Sequence, residues 1–150
     1  MNSILTAAHR IFIDACITEF SSGPTVLIID NVPGWCRKHN IEEYNPSRTA
    51  RAFRVQQTGK GVILLASLIT PPMRRSVELF IERSGYPEEV KALKKDLNFL
   101  KHLVLHEIAH LNYGWGEGEE TLCDKWAFEM MDIPHRSAGV RRVPHEKRGG

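Results

Sequence analysis

Residues 97–112 read Leu97-Asn98-Phe99-Leu100-Lys101-His102-Leu103-Val104-Leu105-His106-Glu107-Ile108-Ala109-His110-Leu111-Asn112. Apolar side chains recur at Leu97, Leu100, Leu103, Val104, Ile108 and Leu111 with no glycine or proline between them, a spacing that predicts an α-helix. Inside it, His106 to His110 form an H-E-x-x-H pattern. A helix turns about 100° per residue, so positions i and i+4 stack on one face. His106 and His110 are therefore expected to offer two imidazole nitrogens to one metal ion. Glu107 stands beside that pair, where a carboxylate reaches a metal-held water without being a ligand. The plainer alternative is a buried helix whose histidines are hydrogen-bonded or face solvent. Polar groups on an apolar helix need partners under either reading.

A zinc-type site needs at least three protein ligands, and a catalytic one leaves a fourth position to water. The third ligand has to come from downstream. Gly114-Trp115-Gly116-Glu117-Gly118 ends the first helix, and Glu119–Met131 reads as the next, with Leu122, Trp126, Phe128 and Met130 for packing. Glu117, Glu119, Glu120, Cys123 and Asp124 are the candidates. Glu120 and Asp124 are spaced i and i+4 and share a face. Glu120 is assigned as the third ligand, with Asp124 accepting a hydrogen bond from the free ring nitrogen of a ligand histidine and so fixing its tautomer. Glu119, and then Asp124 itself, are the alternative ligands. Cys123 reads as a small buried apolar residue. Taken alone, Glu117–Glu120 would be a solvated helix start whose carboxylates complement the helix dipole.

Outward from this pair of helices the chain is mixed. Asn2 or Ser3 is expected to cap a first helix running to Phe20, stopped by Ser21-Ser22-Gly23-Pro24. Thr25–Asp30 is a β-branched apolar run and reads as a buried strand. Asn31–Ser47 reads as a loop, with Pro33-Gly34 and Asn45-Pro46 as turn signals. Ala50–Gln57 and Val62–Ile69 read as strands joined through Thr58-Gly59-Lys60-Gly61. Met73–Arg83 is amphipathic and helical. Pro87-Glu88-Glu89 opens a helical stretch that continues, with breaks, to Asn112. The expected fold is α+β: a small, mostly antiparallel sheet packed against the motif helix and the Glu-bearing helix after it.

The chain has 150 residues, 42% apolar and 25% charged, which suits one soluble domain. Its net charge of +2 is uneven: residues 135–150 hold five Lys/Arg and one Glu, or +4, which leaves −2 on residues 1–134. Residues 1–134 are expected to be the domain and 135–150 a basic tail without fixed structure. The tail, Arg136–Arg148, lacks interleaved aromatics, which argues against nucleic acid as a partner. Cys16, Cys36 and Cys123 make no paired framework and fit a reducing cytoplasm. No basic segment leads into an apolar run at the N-terminus, and Val62–Ile69 is too short to cross a bilayer, so no membrane association is expected.

H-E-x-x-H followed by Glu-x-x-small-Asp-x-aromatic-Ala, here Glu120, Cys123, Asp124, Trp126 and Ala127, resembles the gluzincin metallopeptidases. The small scaffold is similar to the minimal ImmA/IrrE-type peptidases of bacteria and mobile elements, over roughly residues 62–131. That resemblance implies a zincin-like, zinc-dependent endopeptidase acting on intracellular protein or peptide substrates. Zn²⁺ would be held by His106, His110 and Glu120, with Glu107 as general base and then acid. Mn²⁺ or Co²⁺ would suit the same ligands. The edge of strand Val62–Ile69 is expected to hold an extended peptide, and Tyr113 is a candidate donor to the transition state. His102, one turn before His106, reads as hydrogen-bonded or exposed rather than as a ligand. Trp35 and Trp115 would line a cleft or cap the core, and His9, His39, His135 and His145 carry no motif context. The competing function is a non-catalytic zinc-binding module that keeps the scaffold to bind a partner.

Overall fold

The computed structural model describes residues 3–133, and the basic tail lies outside them. In chain order the elements are β1 (Ser3–Ile4), α1 (Ala7–Phe20), β2 (Thr25–Asp30), α2 (Val32–Lys38), β3 (Ala50–Arg54), β4 (Gly61–Ala66), β5 (Leu68–Ile69), α3 (Pro71–Arg83), α4 (Asp96–Tyr113) and α5 (Glu120–Met130). Short 3₁₀ turns at Glu89–Lys94 and Glu117–Glu119 lead into α4 and α5. The architecture is α+β, as expected.

The main sheet has the order β2-β4-β3. Every residue of β4 is buried, which explains why Gly61–Ala66 carries apolar side chains without alternation: the strand is covered on both faces and paired on both edges. The main sheet is mixed rather than mostly antiparallel: β3–β4 is antiparallel, but the longer β2–β4 pairing is parallel from Thr25↔Gly61 to Asp30↔Ala66, and the antiparallel β1–β5 pair is a separate two-stranded sheet. Helix α4 packs against β3, β4, α1 and α5. Its close seat on β4 depends on Gly61, where a Cβ would meet Leu111 Cδ1 at 3.0 Å.

The central position of β4 corrects one expectation. The strand spanning Val62–Ile69 has no free edge for a peptide, because both sides are taken, and it breaks at Ser67 into β4 and β5. The outer strands of the main sheet are β2 and β3, and of these β3 lines the larger cleft beside Glu107. Other boundaries moved for local reasons. Ser3–Ile4 pairs with Leu68–Ile69, so α1 starts later, capped by Thr6, whose hydroxyl accepts from the His9 backbone N–H. The expected loop after β2 contains α2, because Asn31 Oδ1 accepts from the Gly34 N–H at 2.7 Å and Pro33 suits a first helical turn. The helical stretch before α4 is interrupted at Lys95, which is extended (φ −74°, ψ 133°).

Three side chains fix α4 in place. Arg74 donates to the carbonyls of Leu93 (2.6 Å) and Lys94 (2.8 Å), pairs with Asp96, and lies over the Phe99 ring. At the other end Asn112 donates to Phe20 O and accepts from the Ser22 N–H and hydroxyl, closing the C-terminus of α1. Arg54 donates to the Leu111 carbonyl, which lies among the unpaired acceptors of the last turn. Gly114 then leaves the helix at φ 67°, a left-handed conformation that glycine adopts without penalty, and the chain reverses toward α5.

Candidate metal centre

The reversal at Gly114 lays α5 along α4, and the polar side chains of the two helices meet at one point. His106 and His110 sit one turn apart with ring centroids 5.0 Å from each other. Both rings are held through Nδ1. His106 Nδ1–H donates to Asp124 Oδ1 at 2.8 Å, and His110 Nδ1–H donates to the Trp115 carbonyl at 2.6 Å. Both Nε2 atoms therefore face the same point, where Glu120 Oε1 lies 2.9 Å from His106 and 2.6 Å from His110. Two imidazole nitrogens, each oriented by a further hydrogen bond at Nδ1, and one carboxylate oxygen are a donor set able to hold a metal ion.

The remaining acidic residues separate by role. Glu119 Oε1 accepts from the Gly116 N–H at 2.8 Å and so closes the inter-helix turn, away from the histidines. Glu117 lines the larger cleft but is not brought to the donor atoms. Asp124 is 1% exposed and accepts from two imidazoles, His106 and His102. Cys123 is fully buried within the same cluster, its sulfur within 4.8 Å of the three donor atoms, and burial together with the nearby carboxylates pushes its thiol far up.

Electrostatics bind the cluster together in the metal-free chain. Burial opposes charge on His106, but the Asp124 carboxylate and the hydrogen bonds to Asp124 and Glu120 outweigh it and raise its pKa well above the ordinary imidazole value. His110 is likewise raised, against burial, by its hydrogen bonds to Glu120 and the Trp115 carbonyl. The carboxylates move the other way. Burial pushes each up, yet the imidazoles hold Glu120 at about 2 and Asp124 at about 2. A metal ion entering this site displaces the protons shared between Nε2 and Glu120.

Glu107, on the helix face next to the pair, is 8% exposed, and burial raises its carboxyl despite the two imidazoles beside it. It borders two openings. A cavity of about 180 Å³ runs from His106, Glu107 and Glu120 toward Val77 and Phe80 of α3. A larger cleft of about 930 Å³ follows the outer edge of β3 past Glu107, His110 and Trp115.

No family model, no curated protein and no solved structure matches the chain. The site is therefore understood through its own geometry.

Trp115 lines the larger cleft, one of the two places expected of it, but two contributions to this site carried no signal in the sequence, the Trp115 carbonyl and Arg48. Trp115 acts through a backbone carbonyl, which any residue would present. Arg48 lies on the wall of both openings; its Nε donates to Glu43 at 3.1 Å, and its terminal nitrogens have no hydrogen-bond partner among the described residues. It sits just past the segment read as a loop, which ends at Ser47, and its place depends on how that segment folds back. Tyr113, by contrast, stacks on Trp115 at 4.5 Å and meets Trp126 edge-on, and it lines neither opening. The expected donor role moves away from it. Trp35 stacks on His39 at 3.8 Å and packs beside Phe53, outside both openings, so it covers the sheet rather than the site. His9 serves the cap of α1. His135 and His145 lie outside the described residues.

Proposed function

We propose that the protein is a zinc-dependent endopeptidase, a minimal gluzincin-like enzyme acting on intracellular protein or peptide substrates. The observation that carries this reading is the convergence of His106 Nε2, His110 Nε2 and Glu120 Oε1 beside a buried Glu107 at the mouth of a cleft. Two imidazoles and a carboxylate suit zinc, and such a site keeps a position for water and substrate. Bound zinc supplies Lewis-acid polarisation of the scissile carbonyl and an acidified water.

The chain's own groups do the rest. Glu107 takes a proton from the attacking water on its carboxylate and returns it to the departing amide nitrogen, which balances the hydrolysis. The rise of its pKa by burial brings it toward the range in which a carboxylate both accepts and gives up a proton near neutrality. Asp124 and the Trp115 carbonyl keep both imidazoles in the tautomer that presents Nε2. An extended peptide pairs with the outer edge of β3, whose residues Ala50–Arg54 line the cleft that leads to Glu107. Arg48, on the wall of both openings, has donors to offer a substrate carbonyl. Three free, buried thiols, with no membrane-spanning helix among the described residues, are consistent with a cytoplasmic setting.

One observation favours a second reading. Cys123 belongs to the same donor cluster, and a fourth protein ligand would close the site into a non-catalytic zinc module. Metal content and peptide cleavage decide between the two. The enzyme reading expects about one zinc per chain, lost in Glu120→Ala, with Glu107→Gln retaining metal and losing cleavage by at least about 10²-fold. Equal cleavage of a peptide mixture by wild type and Glu107→Gln would overturn it. Thiolate-to-metal absorption in the cobalt form, absent in Cys123→Ala, would support the closed module.

A further inference from the structure

His102 is the buried titratable group that the proposed chemistry leaves without a task. It lies on α4 one turn before His106, is 1% exposed, and packs its ring against Phe128 at a centroid distance of 4.4 Å. Its Nε2–H donates to Asp124 Oδ1 at 3.1 Å, the same oxygen that accepts from His106 Nδ1 at 2.8 Å. Asp124 Oδ2 and His102 Nδ1 are both buried without a hydrogen-bond partner among the described residues. The Asp124 carboxylate is thus held by two imidazoles on one oxygen, and His102 is the one of them that the metal does not need.

We infer that His102 is a positioning residue for the metal centre: it sets the rotation of the Asp124 carboxylate, and through it the orientation of the ligand His106. The inference rests on the metal-site reading above. A carboxylate that accepts from a single imidazole swings about its χ2 torsion, which is broad for aspartate, and carries its partner ring along. The second imidazole removes that freedom by pinning Oδ1 between α4 and α5. His102 is itself fixed, since α4 carries both imidazoles and Phe128 of α5 backs the His102 ring. Along the chain His102–Asp124–His106, an uncharged donor in the interior therefore controls where His106 Nε2 points. Partners of this kind change metal affinity by about 10- to 100-fold when removed, and one step further out the lower end is expected.

The test is zinc affinity by chelator competition, together with the visible absorption spectrum of the cobalt-loaded protein. His102→Leu keeps the bulk and loses the donor; His102→Gln keeps an N–H near the Nε2 position; His102→Asn places its amide near the Nδ1 position, short of Asp124. About tenfold weaker zinc binding and an altered cobalt spectrum are expected for His102→Leu and His102→Asn, with His102→Gln close to wild type. In an Asp124→Ala background the His102 substitutions are expected to add nothing, because the path to the ligand is already cut. If His102→Leu does not fold, the Gln and Asn pair carries the comparison. Wild-type affinity and spectrum in the Leu or Asn variant, or an undiminished loss in the Asp124→Ala background, would overturn the inference while the metal site stands. A wild type that takes up neither zinc nor cobalt would overturn the metal reading itself, and this inference with it.

Discussion

Glu120 Oε1 lies within hydrogen-bond reach of two imidazoles, and this gives the metal-free protein a pH dependence opposite to the one expected of a zinc-loaded form. His106 and His110 have folded-state pKa values above the ordinary imidazole value of about 6.5. A raised imidazole contributes stability that is complete below the unfolded pKa and is lost as pH rises through the folded one. His102 is lowered by burial, so its contribution has the opposite sign, rising with pH around the unfolded value of about 6.5 and complete about one pH unit above it. With chelator present, stability in urea is therefore expected to fall as pH rises above about 7.5, where two raised imidazoles outweigh the one that is lowered. If the site takes up zinc as proposed, saturating metal is expected to reverse the trend, because metal binding needs both imidazoles deprotonated. Chelated protein that gains stability in that range would contradict the hydrogen-bonded imidazoles described above. At this scale the sequence was informative where partners are spaced four apart: His106 with His110, and Glu120 with Asp124. It was silent on the Trp115 carbonyl and on Arg48, which reach the site through the path of the chain rather than through a residue pattern.

Among the elements, α4 was legible because a long periodic run without breakers leaves little choice of structure. Its start was not. Glu89–Lys94 has the composition of a helix, yet Lys95 turns extended, and Arg74 from α3 occupies the carbonyls exposed just before that break. The contest is tertiary, so no local pattern records it. The two-residue strand β1 escaped for the same reason: its partner lies more than sixty residues away. Helix α2 escaped because Asn31, Pro33 and Gly34 serve equally as turn or helix-start residues. The Arg74 clamp leads to a measurable expectation. Arg74→Ala removes two carbonyl hydrogen bonds, ion pairs to Asp96 and Glu78 and a ring contact, and is expected to cost about 2 kcal/mol in urea unfolding. Metal content is expected to stay at that of wild type, since the donors lie beyond the clamped turn. A loss below about 0.5 kcal/mol would mean that the clamp is solvated decoration, as many exposed ion pairs are.

Across the whole molecule, the sheet supplies the support and the α4–α5 pair carries the candidate metal donors. The α+β class followed from apolar strand runs set before long amphipathic helices, while the parallel pairing of β2 with β4 did not, because register between distant strands is decided by packing. That division also separates near from distant contacts along the chain. All the donors, with Asp124, fall between residues 106 and 124, within two helices joined by one turn, whereas β2 meets β4 only after a loop that also contains α2 and β3. Short loops close at lower entropic cost and sooner than long ones. The helical hairpin is thus placed to form while the sheet is still open, with its ligands already near one another. Zinc would then act as a folding nucleus. Refolding after dilution from urea is expected to accelerate with free zinc, and unfolding to slow. A folding rate indifferent to zinc, beside a slowed unfolding rate, would show that the ligands meet only after the sheet has closed.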